Sequence, residues 1–226
     1  MTVASANRVM LLGAPGAGKG TVAKGLSDRF GLTHVSTGDI LRKAVAAGTE
    51  LGREVQSILA AGHLVPDETM IKLLRDRVQE ADCRLPDGTP CFLLDGFPRT
   101  SGQAEALLRN GLAPEVVIYL EVDDDVIVRR LCGRRTCPGC GNPHHVEFAP
   151  PAVAGVCDRC GVKLVQRPDD QEEPIRRRLA AFASQTELLV EWYGDQIERV
   201  DGSMPADVVL ATVVERLSGK VGLALI

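Results

Sequence analysis

Aromatic residues are scarce: five Phe, two Tyr and one Trp make up 4% of the 226 residues. The core must therefore be built from Val, Leu, Ile and Ala, and there are few rings for stacking nucleic-acid bases. No apolar run approaches the ~20 residues needed to span a bilayer. The first seven residues are polar and lack a basic start, and the apolar run 9–12 is far too short for the centre of a secretory signal. Nothing marks export, so a cytoplasmic protein is the expectation. An excess of positive charge is missing too. A net charge of -4 argues against general nucleic-acid binding, although one cleft can still gather cations. The length, with 45% hydrophobic and 25% charged residues, suits one compact core with small inserted lobes.

The residues that are present alternate between two periods. Segments 8–12, 91–94 and 116–122 are short and apolar, as buried parallel strands are. Helical patterns follow at about 19–30, 101–110 and 124–132, the first closed by Gly31. A short strand is expected at 34–35. Two short helices, 37–47 and 50–61, are divided by Gly48 and closed by Gly62. Pro66 opens a further helix to about residue 81. A long helix is expected at 171–199, with Ile175, Leu179, Phe182, Leu189 and Trp192 on its apolar stripe. A last strand near Val200 and a helix over 205–217 complete the pattern. This alternation predicts an α/β fold, a parallel sheet with helices on both faces.

The most specific motif is Gly13-Ala14-Pro15-Gly16-Ala17-Gly18-Lys19-Gly20-Thr21, lying between the first strand and the first helix. That is the context of a phosphate-binding P-loop. Glycines let backbone N–H groups turn toward phosphate oxygens, the helix N-terminus favours anions, and Lys19 adds a charge. Gly20 occupies the place where a metal-ligating Ser or Thr usually follows the lysine. Mg²⁺ is therefore expected to be held mainly by nucleotide phosphates and water. Asp95, at the end of the second apolar strand, is placed to hold a metal-bound water.

Segment 137–165 breaks the rhythm. Cys137-Pro138-Gly139-Cys140 and Cys157-Asp158-Arg159-Cys160 are two Cys-x₂-Cys knuckles with 16 residues between them. Four thiolates at this spacing suit a tetrahedral structural Zn²⁺. An iron–sulfur site and a redox or metal-free state are the competing readings. Cys83, Cys91 and Cys132 are expected as buried apolar fillers.

Three blocks together resemble the signatures of adenylate kinases: Gly13 to Thr21, Ser36-Thr37-Gly38-Asp39 with Arg42, and Asp95-Gly96-Phe97-Pro98-Arg99. Gly133-Arg134-Arg135, Arg167-Pro168-Asp169-Asp170 and Glu172-Glu173-Pro174-Ile175-Arg176-Arg177-Arg178-Leu179 continue the match over nearly the whole chain. The resemblance implies a P-loop core (1–35, 66–132 and 171–226), a small helical NMP-binding insertion (36–65) and a lid (133–170). It implies a reaction in which MgATP and AMP give two ADP, carried out by a monomer without nucleic-acid or membrane partners.

By the same resemblance, Arg42 and Arg99 hold the AMP phosphate, and Arg130 and Arg134 reach ATP from the lid side. Arg167 and Arg178 bridge the transferring group, with Lys19 as the other catalytic cation. Arg135, Arg176 and Arg177 are left as solvated or salt-bridged. The remaining ATP contacts fall on Gly16, Ala17, Gly18, Gly20, Thr21, Pro143, His144 and Met204. AMP contacts fall on Thr37, His63, Leu64, Val65, Gly96, Phe97, Pro98 and Gln103, with Gln103 reading the adenine edge. His63 stands where a lysine is common. His144 stands where an aromatic ring often stacks on the ATP adenine, a departure from the family in which the imidazole can still stack; His144 and His145 are read as lid or nucleotide contacts. Two other functions fit less of the sequence. A kinase with another pair, GTP as donor or UMP/CMP as acceptor, fits less well, because the pyrimidine-specific relatives have short lids and Gln103 and Thr37 favour AMP. A zinc-ribbon nucleic-acid binder carrying a P-loop would need more basic residues between Cys137 and Cys160 than Arg159.

Overall fold

The computed structural model describes residues 7–61 and 63–218. Strands β1 (Arg8–Gly13), β2 (Thr33–Ser36), β3 (Phe92–Asp95), β4 (Val116–Glu121) and β7 (Ile197–Asp201) form one parallel sheet in the order β2-β3-β1-β4-β7. Because side chains alternate along a strand, each strand supplies two cores. Met10, Leu12, Phe92, Leu94, Val117 and Tyr119 face one way. Val9, Leu11, Leu93, Val116, Ile118 and Leu120 face the other. Few of these residues are aromatic, as the composition requires.

Helices cover both faces. Helix α1 (Lys19–Phe30) and helix α9 (Ala206–Ser218) pack against the second set through Val22, Leu26, Val209 and Val213. Helices α4 (Asp67–Val78) and α5 (Ser101–Arg109) pack against the first through Met70, Leu74, Ala104 and Leu107. Helices α2 (Thr37–Ala46) and α3 (Glu50–Ala61) form a pair in close contact at Gly52, and lean on the same core through Leu41 and Val55. The expected closing role of Gly62 lies outside the described residues. Helix α6 (Asp124–Gly133) packs on helix α7 (Glu172–Ala181) through Ile127, Leu131, Ile175 and Leu179. Between them, β5 (Arg134–Thr136) and β6 (Pro143–His145) make a two-stranded antiparallel sheet.

The long helix expected over 171–199 is not continuous. After α7 the chain makes a π-turn at Phe182–Thr186, then helix α8 (Leu189–Tyr193), a short 3-10 turn and strand β7. The extra residue in the π-turn rotates the apolar stripe. Leu189 and Tyr193 are buried as a result, while Trp192 is 45% exposed, contrary to its expected inward place. Pro66 precedes α4 as its cap rather than sitting in its first turn, and α4 stops at Val78. Cys83 and Cys91 are buried, whereas Cys132 is only partly so.

Candidate active site

β1 and β3 are adjacent parallel strands, so the loops that leave their C-terminal ends lie side by side. Gly18, with φ 100°, caps α1 in a left-handed conformation that a side chain would strain, and it leaves the helix N-terminus open. Lys19 Nζ donates to the carbonyls of Gly13 at 2.8 Å and Ala14 at 2.9 Å, so the lysine closes the loop around itself. Burial brings its ammonium down to about 8. Asp95 pulls upward against this, while Arg99, Arg178 and Arg134 add to the lowering. Asp95 itself is held low: burial opposes its charge, but a hydrogen bond with His34 and the Lys19 charge prevail. His34 Nε2 lies 3.2 Å from Asp95 Oδ2. That same carboxylate oxygen is 4.0 Å from where a side chain on Gly20 would begin, which puts it beside the loop.

The arginines named from the sequence gather around this point. Arg99 is pushed down to about 10 by burial and then by Arg178, and it feels Arg42 as well. Arg167 is pushed down to about 10 by burial, then by Arg42 and Arg134. Arg178 is lowered by burial, Asp169 pulling the other way, and is pushed further by Arg134 and Arg42. All remain protonated at neutral pH. Lys19, Arg42, Arg99, Arg134, Arg167 and Arg178 thus form one cluster of cations.

Three aspartates hold the cluster in place. Arg134 makes a forked pair with the fully buried Asp170, at 2.8 and 2.5 Å. Arg178 Nη1 lies 3.0 Å from the Asp169 carboxylate and donates to the Asp169 carbonyl at 2.9 Å. Arg42 pairs with Asp39 at 2.6 Å, and Arg167 donates to Thr136 Oγ1 at 3.0 Å. Arg130 stands slightly apart, donating to the carbonyls of Gly202 at 2.7 Å and Ser203 at 3.1 Å, beside the exposed Met204.

A second hydrogen-bonded cluster joins the turn after β3 to the start of α2. The buried Thr37 donates from Oγ1 to the Gly96 carbonyl at 3.0 Å, and Arg99 Nε donates to the same carbonyl at 2.7 Å. Gln103 is 2% exposed, and its Oε1 accepts from the Arg99 backbone N–H at 2.7 Å. Phe97, Pro98 and Val65 are buried behind it, Leu64 is partly buried, and His63 is exposed. Thr186, brought inward by the π-turn, donates to the Arg99 carbonyl at 2.9 Å.

His144 departs from expectation. Successive residues of β6 face opposite ways, and His144 turns inward, 7% exposed. Its Nε2 lies 3.1 Å from Asn142 Nδ2, and its Nδ1 lies 3.8 Å from Asp158 Oδ2. The ring is buried against Asn142 and against Asp158 of the second cysteine knuckle, so it presents no open face. Pro143 is exposed on the same strand. His145 faces the other way and stacks on Phe148.

Cys137, Cys140, Cys157 and Cys160 place their sulfur atoms within 4.8 Å of one another. The Cys137–Cys160 and Cys140–Cys157 separations are 3.3 and 3.6 Å. These are too long for a disulfide and near the ~3.8 Å edge of a tetrahedron with 2.3 Å metal–sulfur bonds. Burial opposes ionisation of Cys157, but its hydrogen bonds bring the thiol down, while in Cys160 contact with Cys137 and Cys140 outweighs a backbone hydrogen bond from Val162 and pushes the thiol up. The residues present therefore fit a metal ion.

Sequence reasoning passed over His34, Asp67, Asp169, Asp170 and Thr186. The two adjacent aspartates stood inside a quoted motif and could have been read as arginine partners. Arg177, left as solvated or salt-bridged, does pair with Glu173, but it also donates to the Ala61 carbonyl at the end of α3, at 2.8 Å.

Known proteins carry the same pattern. A model of the adenylate kinase family matches residues 11–198. The adenylate kinase of Finegoldia magna is 46% identical over 216 residues, covering 93% of this chain and 98% of its own. That of Lachnospira eligens is 44% identical over 216 residues, covering 93% and 99%. That of Clostridioides difficile is 44% identical over 220 residues, covering 94% and 100%. With its P-loop, its arginine cluster and this full-length similarity, the chain belongs to the adenylate kinase family.

Proposed function

We infer that the protein is a nucleoside monophosphate kinase that transfers the terminal phosphate of MgATP reversibly to AMP, giving two ADP. The observation that carries this reading is the P-loop lysine Lys19 with Arg42, Arg99, Arg134, Arg167 and Arg178 held beside it by Asp39, the Gly96 carbonyl, Asp170, Thr136 and Asp169. A single nucleotide does not need so many. Two anionic nucleotides meeting end to end do, because their phosphates repel each other and charge spreads over the transferring group.

The residues divide the work by position. The loop from Gly16 to Thr21 cradles the ATP phosphates, and Lys19 leaves the Gly13 and Ala14 carbonyls for the γ-phosphate. Arg130 and Met204 border the nucleoside end of ATP. Arg42 and Arg99 hold the AMP phosphate, with Thr37, Gly96 and Val65 near its base and Gln103 against its edge. Arg167 and Arg178 fork onto the transferring phosphoryl group. No side-chain nucleophile is required: an AMP phosphate oxygen attacks the γ-phosphorus, the bond to the ADP oxygen breaks, and ADP leaves with that electron pair. Positioning and charge neutralisation supply the rate, and one such arginine is worth roughly 10³–10⁵. Asp95, oriented by His34, would hold water bound to the Mg²⁺ that accompanies ATP; the ion neutralises phosphate charge when bound.

Residues 36–65 act as the AMP-binding insertion and 133–170 as a lid that shuts water out. Adenylate kinases are themselves a standard example of enzymes that close a lid over their substrates. In the lid, Cys137, Cys140, Cys157 and Cys160 would hold a structural Zn²⁺, which folds a lobe with almost no apolar core of its own. The protein works as a monomer. No helix among the described residues is long and apolar enough to cross a membrane.

The test is a transfer assay with Mg²⁺ in which ATP or GTP is paired with AMP, GMP, UMP or CMP. The ATP–AMP pair is expected to be turned over fastest. Clear preference for another pair would overturn the assignment of substrates, and no transfer with any pair would overturn the activity.

A further inference from the structure

Gln103 carries a chemical ambiguity that the surrounding structure removes. A side-chain amide has an acceptor end and a donor end of nearly the same shape. Turned one way it reads a base edge that offers an amino group and a bare ring nitrogen. Turned the other way it reads an edge that offers a carbonyl and a ring N–H. An amide free to flip reads both.

Here each end meets a group that tolerates only one of them. The Arg99 backbone N–H can only donate, and it lies 2.7 Å from Gln103 Oε1. Asp67 Oδ1 accepts from Gln103 Nε2 at 2.6 Å, and a carboxylate only accepts. The carboxylate is fixed in turn. Its Oδ2 accepts from Thr100 Oγ1 at 2.9 Å, and Thr100 Oγ1 accepts from the Gln103 backbone N–H at 3.2 Å. Asp67 is the first residue of α4 and Thr100 caps α5, so the carboxylate sits between two helix N-termini, where negative charge is favoured. The amide is 2% exposed, and these two contacts use only one of its two N–H groups and one of its two oxygen lone pairs. A buried amide with an acceptor and a donor left over calls for a ligand edge of the opposite pattern.

We propose that Asp67 is the positioning residue that fixes the sense of the Gln103 amide, and that it thereby selects a 6-aminopurine over a 6-oxopurine as phosphate acceptor. The inference rests on the reading that Gln103 faces the acceptor base. Asp67 touches no substrate. It acts by making the flipped amide costly, since a flip would set Gln103 Oε1 against a carboxylate and Nε2 against an N–H.

The discriminating pair of substrates is AMP and inosine monophosphate, which differ only in the 6-amino group and N1 against the 6-oxo group and N1–H. The ratio of kcat/KM for the two is measured with MgATP for the wild type, Asp67→Ala and Asp67→Asn, with a thermal melt on each. The wild type should prefer AMP strongly. Asp67→Ala should lower the AMP-to-inosine ratio about tenfold, the effect of losing one charge-assisted hydrogen bond. Asp67→Asn, which can present either an oxygen or an amino group to Gln103, should lower it about threefold and keeps the test open if the alanine variant folds poorly. A loss that falls equally on both substrates in a folded variant would overturn the proposal and leave Asp67 a helix-joining residue. A wild type that uses the two equally would overturn it as well. A wild type that phosphorylates neither would instead overturn the functional reading, and the proposal with it.

Discussion

Lys19 and its arginine neighbours share one physical condition: they are cations kept from water before any anion arrives. For Lys19 the consequence is a pH dependence of definite sign. Its ammonium is brought down to about 8 by burial, so in the free protein it loses its charge as pH rises through that value. Bound phosphate favours the ammonium and moves the titration upward. kcat/KM for ATP, which reports the free protein, should therefore fall above about pH 8, while kcat at saturating ATP holds to higher pH. Lys19→Arg, always charged, should remove the limb near pH 8 even if its overall rate is lower; an unchanged limb would contradict the assignment. Arg178 has a sharper role. Arg178→Ala should lower kcat by roughly 10³ with little change in either KM, because its charge is matched to the transferring group. A loss confined to KM would place it in ground-state binding instead.

The P-loop, the strand ends and the cysteine knuckles were legible because their chemistry is local: glycines, a lysine and paired cysteines at fixed spacing. Asp67, His34 and Thr186 were not. Their partners lie 36, 61 and 87 residues away, at Gln103, Asp95 and Arg99. The pairing of β2 with β3 brings His34 to Asp95, the packing of α4 beside α5 brings Asp67 to Gln103, and the π-turn brings Thr186 to Arg99. His144 shows the limit of reading a residue by its position in a motif, because the face it takes on β6 was decided by the pleat.

At the scale of elements, the join between α6 and the two-stranded sheet β5–β6 is tight. A side chain at Gly133 would begin far inside contact distance of the His145 ring. His145 cannot simply swing away, because its Nδ1 accepts from the backbone N–H groups of Glu147 and Phe148, both at 3.0 Å, and its ring stacks on Phe148. Gly133→Ala is expected to displace β6, raise the KM for ATP, and cost about 1–3 kcal/mol in a thermal or denaturant melt. An unaffected KM for ATP would argue that this join does not set the lid. The cysteine cluster makes a parallel prediction. The purified protein should carry one metal ion per chain by elemental analysis. Stripping it with a chelator should lower the melting temperature and raise the KM for ATP more than that for AMP, because the cluster lies between β5 and Val165, away from Gln103.

The long helix expected near the C-terminus failed for an element-scale reason. Its apolar stripe was real, but one stripe cannot serve both α6 and the Arg99 loop. The π-turn at Phe182–Thr186 resolves the conflict by shifting the register, which carries Thr186 to Arg99 and leaves Trp192 outside.

For the molecule as a whole, the sheet and its two cores form the base, and the cation cluster sits where β1 and β3 end. The net charge of -4 says nothing of this site. Acidic residues are spread elsewhere, while the cleft concentrates cations with Asp39, Asp95, Asp169 and Asp170 as orienting partners. Such an arrangement should do little to ATP alone, because the second anion completes the charge balance and the attacking oxygen belongs to AMP rather than water. The most direct measurement is therefore the initial rate of ADP formation from MgATP, with and without AMP, counted against ATP consumed. Fast formation only when AMP is present, with two ADP for each ATP lost, is the expected result. ADP formation from ATP at a rate that AMP does not change would contradict the account and identify an ATPase.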